Sequence, residues 1–270
     1  MELRINDVLV HYVEHGTGVP LIALHGVGVD HRELEAALEP MLADSGCRRI
    51  YPDLPAMGHS TATGLRSNND VVALLAGFIE QLAEEPALLL GHSYGAYLAR
   101  GVAAQRPELL HGLALMCPLA ETTGRVPPPE VVVQDEAAYD ELEPDQHGSF
   151  DDYFVVRTPE TARRFRDYAA PGMGLVDYPA LTEIFTDWPI DMGRHTFSRP
   201  TLVAAGLHDI TVGFDDAVRL LDVYPRSTLA VVDGAGHAML HERPEIVTAL
   251  LADWIARAQA VADTSSLRSS

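Results

Sequence analysis

Three side chains, set far apart along the chain, could together carry acyl-transfer chemistry. Ser93 stands in Gly91-His92-Ser93-Tyr94-Gly95, His237 closes the small-residue loop Asp233-Gly234-Ala235-Gly236, and Asp209 follows Gly206-Leu207-His208. A serine hydroxyl is a weak nucleophile until a base removes its proton, and an imidazole is an effective base once a carboxylate fixes its tautomer and steadies the imidazolium. Each residue also has a plainer use, His237 as a loop histidine and Asp209 as a turn cap. Their joint placement, each just past an apolar run, singles them out. Glu121, just past the strand that follows the serine helix, is the alternative acid.

The local chemistry around Ser93 requires a particular backbone. Ala87 to Leu90 is an apolar run of strand character, and the residues after Ser93 continue with helical spacing. A serine on such a strand-to-helix turn sits in a strained conformation, and glycines two before and two after it remove side chains that would collide across the bend. Helix N-terminal amides, led by that of Tyr94, then favour negative charge beside the hydroxyl.

The remaining elements repeat a strand-then-helix rhythm. Leu3 to Ile5 and Val8 to Val13 read as a hairpin about Asn6-Asp7, and Pro20 to Gly26 is an apolar strand followed by a helix from about His31 to Ala43. Arg48 to Asp53 is a strand, Ser67 with Asp70 caps a helix to about Ala83, and Leu110 to Met116 is a strand. Further strands are expected at Thr201 to Gly206 and Thr228 to Val232, and helices at Asp215 to Val223 and Glu242 to Ala260. Apolar strands without alternation, separated by helices, predict an α/β fold with a mostly parallel, doubly wound sheet. Ligands bind such sheets outside the carboxyl ends of the strands, so Ser93, the His25 to Gly28 loop, Asp53, Asp209 and His237 are expected to converge.

The rhythm breaks between Leu119 and Ser198. This stretch is acidic and holds ten of the chain's eighteen aromatic residues, among them Phe150, Tyr153, Phe154, Phe165, Tyr168, Phe185 and Trp188. A disordered linker is poor in aromatic residues, so the stretch reads as an inserted helical cap over the strand ends, with rings lining a pocket and Asp135, Glu136, Asp140 and Glu141 turned to solvent. The expected organisation is a core of residues 1–118 and 199–262, a cap of 119–198 and a frayed tail of 263–270.

Composition removes several classes of function. A net charge of −20 argues against nucleic acid and anionic membranes as partners. Lysine is absent, which excludes Schiff-base chemistry, pyridoxal phosphate attachment and a Walker-type phosphate loop. No apolar run reaches membrane-spanning length, and a cytoplasmic protein is expected. The two cysteines, Cys47 and Cys117, are placed on strands at opposite edges of the sheet, as buried free thiols remote from the site. No histidine and carboxylate spacing resembles a metal-ligand set, so neither metal nor organic cofactor is implied.

With these residues in view, the chain resembles the α/β-hydrolase family over essentially its whole length. The matching stretches are His25-Gly26, Gly91-His92-Ser93-Tyr94-Gly95, the turn Gly206-x-x-Asp209 and Gly234-Ala235-Gly236-His237. The resemblance implies Ser93 as nucleophile, His237 as base and Asp209 as acid, with the backbone amides of Val27 and Tyr94 as oxyanion hole and His25 and Gly26 as its supporting loop. Asp53 to Ser60 is similar to the family's Asp-x-Pro-Gly-x-Gly-x-Ser loop, with Ala56 in place of the first glycine. His59, His92, His208 and His241 are assigned structural or supporting roles. The implied activity is cleavage of an ester or related acyl bond in a small, largely apolar substrate, with no oligomeric state implied. Carbon-carbon bond hydrolases and perhydrolases use the same triad and stay open, as does a non-catalytic small-molecule-binding module on this fold.

Overall fold

The computed structural model describes residues 1–119, 126–193 and 196–266. Eight strands form one sheet: β1 (Glu2–Ile5), β2 (Val8–His15), β3 (Val19–Leu24), β4 (Cys47–Pro52), β5 (Ala87–His92), β6 (Leu110–Met116), β9 (Thr201–Gly206) and β10 (Ser227–Val232). Their order across the sheet is β1-β2-β4-β3-β5-β6-β9-β10. β1 and β2 pair antiparallel, β2 meets β4 antiparallel, and every other pairing is parallel. The first hairpin is therefore an antiparallel margin on a parallel sheet.

The apolar strands split their side chains between two cores. Ile22, Leu24, Leu89, Leu113 and Leu115 face one side, where they meet α2 (Asn68–Leu82) and α3 (Tyr94–Gln105). Leu21, Ala23, Leu88, Leu90 and Met116 face the other, against α1 (His31–Leu42) and the long terminal helix α10 (Pro244–Ser266). Successive residues of a strand point to opposite faces, so a strand covered on both must be apolar throughout. Ser67 caps α2 by accepting the Asp70 amide at 3.0 Å. The terminal helix begins later than the sequence suggests: a short α9 (Met239–Glu242) precedes it, and Pro244 opens α10. It then runs to Ser266, into the stretch expected to fray.

Between β6 and β9 lie the small parallel pair β7 (Val133–Gln134) and β8 (Val156–Arg157) and the helices α4 (His147–Tyr153), α5 (Pro159–Arg164), α6 (Ala170–Met173) and α7 (Tyr178–Phe185). Phe150, Phe154, Phe165 and Ala162 form a third apolar cluster, which takes Val29 and Ala238 from the main body. α8 (Asp215–Arg219) follows β9 and passes into a single tighter turn, so the helix expected to reach Val223 is shorter.

Both cysteines are buried and unpaired. Cys47 opens β4 and Cys117 follows β6, but neither strand is at an edge: β3 and β5 lie between them inside the sheet. Among the described residues no helix is long and apolar enough to cross a membrane.

Candidate active site

The chain runs outward from β3 to β4 in one direction and from β5 to β6 in the other, which makes the carboxyl ends of β3 and β5 the switch point of the sheet. Ser93 follows β5 at φ 54° and ψ −117°, a conformation that L side chains rarely adopt. Two close approaches enforce it. A Cβ on Gly91 would run into the Gly95 carbonyl, and one on Gly95 would run into the Leu24 carbonyl at the end of β3. The Ser93 amide donates to Met116 O on β6 at 2.9 Å, so both neighbouring strands brace the turn.

Asp209, fully buried after β9, accepts the Thr211 and Val212 amides on Oδ1, each at 2.9 Å, and holds Nδ1 of His237 on Oδ2 at 2.8 Å. Burial by itself would raise the Asp209 pKa, but the charge and hydrogen bond of His237, with the two amides, outweigh it and hold the carboxyl below its ordinary value. For His237 burial favours the neutral ring, and Asp209 outweighs that as well, so its pKa lies above the ordinary histidine value. A proton on Nδ1 leaves Nε2 as the free basic nitrogen. That is the atom a serine would need.

Ser93, His237, His92, Gly26 and Val27 form the core side of a cavity of about 290 Å³. Ser149, Asp152, Tyr153 and Met173 close it from the opposite side. His25 supports the Gly26 to Gly28 loop from beneath, donating from Nδ1 to Gly26 O at 2.7 Å and accepting the Leu54 amide on Nε2 at 2.9 Å. Burial lowers its pKa, which suits that neutral tautomer. The Tyr94 amide is the first of its helix and has no intrahelical acceptor. Its phenol points away from the cavity and donates to Asn68 Oδ1 at 2.6 Å.

Three expectations from the sequence are corrected. Asp53 does not line the cavity: its carboxylate accepts the His31 amide, the His59 amide and the Nδ1 atoms of His11 and His31, at 2.7–2.9 Å. It thus ties β2, the start of α1 and its own loop together, and Gly58 is required there because a Cβ would run into that carboxylate. Cys117 is not remote, since it lies with His92 and His237 in a group whose donor atoms are all within 4.8 Å of one another. Burial, with the charge of Asp209 added, pushes its thiol well up. Most of the aromatic residues of the 119–198 stretch also avoid the cavity: Phe185 and Trp188 pack on Tyr94 and Tyr97 of α3, and the three phenylalanines pack among themselves. Tyr153 alone among them reaches it. Asp135, Glu136 and Asp140 are exposed as expected, whereas Glu141 pairs with Arg163 and Arg166. Glu121 lies outside the described residues.

Several buried polar groups surround the site; His92 and His241 have the supporting roles expected of them, and Glu33 and Glu242 were not singled out by sequence. His92 donates from Nε2 to His237 O at 3.0 Å, and burial drives its pKa down to about 4, so it stays neutral. Glu33 on α1 accepts Tyr153 OH at 2.8 Å and His241 Nε2 at 3.0 Å, and its pKa falls to about 2 because these bonds and nearby imidazoles outweigh burial. Glu242 accepts three backbone amides. Among the described residues two donor groups are close enough to close on a metal ion, His92-Cys117-His237 and His11-His31-Asp53. In the second group both histidines already hydrogen-bond Asp53, and in the first His237 Nδ1 is already held by Asp209.

A mostly parallel sheet of eight strands, with a serine on a strained turn at its switch point and a carboxylate-bound histidine beside it, defines a class of hydrolase fold. The chain belongs to the alpha/beta hydrolase family, whose sequence profile matches residues 21–250. It is 27% identical over 268 residues, 92% of each chain, to the 2-hydroxy-6-oxononadienedioate/2-hydroxy-6-oxononatrienedioate hydrolase 2 of Pseudomonas putida. It is 32% identical over 112 residues to the (E)-2-((N-methylformamido)methylene)succinate hydrolase of Acinetobacter baylyi, a match that covers 41% of this chain and 42% of that protein. In three dimensions it superposes on an alpha/beta superfamily hydrolase from Oenococcus oeni with a TM-score of 0.83 at 21% identity, covering 96% of this chain and 99% of the other.

Proposed function

We propose that the protein is a serine hydrolase that cleaves an ester or related acyl bond of a small, largely apolar and uncharged substrate through an acyl-enzyme intermediate. The observation that carries this reading is the 2.8 Å contact between His237 Nδ1 and Asp209, with Ser93 on its strained turn in the same cavity. Ser93 Oγ attacks the acyl carbon while His237 Nε2 takes the hydroxyl proton. Asp209 keeps the proton on Nδ1 and stabilises the imidazolium. The amides of Val27 and Tyr94 receive the developing oxyanion, and one such donor is typically worth about 3 kcal/mol of transition-state stabilisation. His237 returns the proton to the leaving alcohol, and a water molecule repeats the sequence to release the acid.

The cavity argues for an uncharged acyl group. The relatives from Pseudomonas and Acinetobacter are named for carboxylate substrates, and an anion drawn out of water into a cavity needs a cationic partner. Among the described residues that line this cavity there is no arginine, the chain has no lysine, and Asp152 adds negative charge. This favours ester cleavage over carbon-carbon bond cleavage on the same triad. Two unpaired cysteines support a reducing, cytoplasmic setting.

Labelling with a fluorophosphonate tests the chemistry, with turnover of a graded series of p-nitrophenyl esters alongside it. We expect Ser93 to be labelled, Ser93→Ala not to be, and short neutral esters to be turned over best. An unlabelled wild type would make the protein a binding module on this fold, and preference for a dienoate over every ester would make it a carbon-carbon bond hydrolase.

A further inference from the structure

Glu242, at the end of α9, is buried and has no part in the proton transfers described above. Its Oε1 accepts the amides of Val155 at 2.7 Å and Val156 at 3.0 Å, and its Oε2 accepts the amide of Gly236 at 2.7 Å. The two ends of this carboxylate therefore hold two different parts of the molecule. Gly236 immediately precedes His237. Val155 comes two residues after Tyr153, whose ring lies edge-on to the His237 ring at 5.9 Å and lines the cavity. Contact between the segments is close, because a Cβ on Gly236 would meet Val155 Cγ1 at 2.8 Å.

From this arrangement we infer that Glu242 is a positioning residue that couples the cap to the catalytic histidine, fixing Tyr153 and His237 in one geometry through its two oxygens. A second tether acts on the same arm. Tyr153 OH donates to Glu33 Oε1, which also receives His241 from the residue beside Glu242. The cap wall and the base are thereby set by two buried core carboxylates. A shift of the cap arm is transmitted to the imidazole through fewer than four residues on either side. The inference rests on the serine hydrolase reading, since it assigns Glu242 a role through His237.

Glutamine in place of Glu242 offers one acceptor and one donor, so it can satisfy the cap amides or Gly236, and its NH2 faces a backbone N–H at the other end. Aspartate keeps the charge but is one methylene too short to span both. The groups facing His237 are Asp209, His92, Cys117, Tyr153, Glu33 and Glu242, and the negative charge of Glu242 helps to hold the imidazolium. Glu242→Gln therefore moves the acid limb of activity to lower pH, and Glu242→Asp leaves it near its wild-type position.

The experiment measures the rate of fluorophosphonate labelling and kcat/KM for p-nitrophenyl acetate across pH in wild type, E242Q, E242D, Y153F and the combined Y153F variants, each checked for folding by circular dichroism. Both Glu242 variants are expected to slow labelling by on the order of tenfold to a hundredfold, the scale of a displacement near 1 Å at the reacting groups. The Y153F combinations are expected to lose less than the product of the single losses, because the two tethers hold one arm. If E242Q does not fold, E242D with Y153F carries the test. Wild-type labelling rates in folded Glu242 variants with a lowered melting temperature alone would overturn the inference, as would losses that multiply. An unlabelled wild type would overturn the serine hydrolase reading itself.

Discussion

The two walls of the cavity are made in different ways. On the core side, Ser93 is held by main chain, with a hydrogen bond to β6 bracing the turn and glycines allowing backbones to approach where any side chain would collide, and the Gly26 to Gly28 loop beside it is held from beneath by the His25 side chain. On the other side, which we propose is a cap, Ser149, Asp152, Tyr153 and Met173 are held by side chains, through the phenylalanine cluster and the contacts to Glu33 and Glu242. Main-chain positioning tolerates few substitutions and suits the atoms that do chemistry. Side-chain positioning can be rebuilt residue by residue without losing the sheet, which suits the part of the cavity that selects a substrate.

The largest expected effects lie on the core side. Ser93→Ala and His237→Ala are expected to abolish ester turnover, by on the order of 10⁶ in kcat, as in comparable serine hydrolase triads. Asp209→Asn is expected to cost about 10⁴ while leaving the fold intact. Steady-state kinetics with p-nitrophenyl esters and a thermal melt check both. An active Asp209→Asn enzyme would move the acid elsewhere in the chain and break the contrast between the walls.

The cap side is expected to divide its residues between stability and selection. Phe154 is 1% exposed and packs on Phe150 and Phe165, so Phe154→Ala removes an anchor at about 3–5 kcal/mol. Tyr153→Ala enlarges the cavity and is expected to change the order of preference among acyl chain lengths, with a smaller loss of stability from the hydrogen bond it gives up to Glu33. Chemical denaturation and the ester series together separate these outcomes. Equal effects on both measurements would mean that anchors and wall are not distinct.

Legibility in the sequence follows the same division. The elbow at Ser93 could be read because its requirements are local: an apolar strand, glycines at fixed offsets, and a helix start. The neighbours of the site could not be read that way. Glu33, Tyr153 and Glu242 meet across contacts separated by more than eighty residues, and nothing in the spacing of any one of them signals the others. Cys117 is intermediate. It follows β6, which lies between the strands that end at Ser93 and near Asp209, so the strand order would have placed it beside the triad. The fold was legible because the apolar strands carry their two-sided burial in composition, whereas the rings of the 119–198 stretch revealed a packed insert without showing which of them face the cavity.

The pH dependence sharpens the account of the core side. On the proposed mechanism His237 is the base and acts only when neutral, and because Asp209 outweighs burial and raises its pKa, kcat/KM is expected to rise about tenfold per pH unit on an acid limb centred above the ordinary histidine value of about 6.5. Asp209→Asn removes the charge responsible and moves the limb to lower pH. For stability the signs differ. The depressed Asp209 pKa contributes stabilisation that is present above the unfolded carboxyl's pKa and lost as pH falls through the folded value, and the raised His237 pKa contributes stabilisation lost as pH rises through its folded value.

The smallest expected effect concerns Ala56, where the chain departs from the glycine of its family's loop. The residue keeps the left-handed backbone that a glycine would take, at φ 65°, and its carbonyl accepts the Asp177 amide at 2.8 Å, so the 119–198 stretch helps to hold the conformation. An L side chain in that region costs about 1–2 kcal/mol. Ala56→Gly relieves this cost but adds roughly 0.4–1 kcal/mol of unfolded-state entropy. The net expectation is a gain of about 0.5 kcal/mol, read from denaturant midpoints, with kcat/KM unchanged because Ala56 does not line the cavity. A clear loss of stability would mean that the methyl of Ala56, buried among its neighbours, contributes more by packing than it costs in strain. Here the 119–198 stretch would be fixing a loop of the main body.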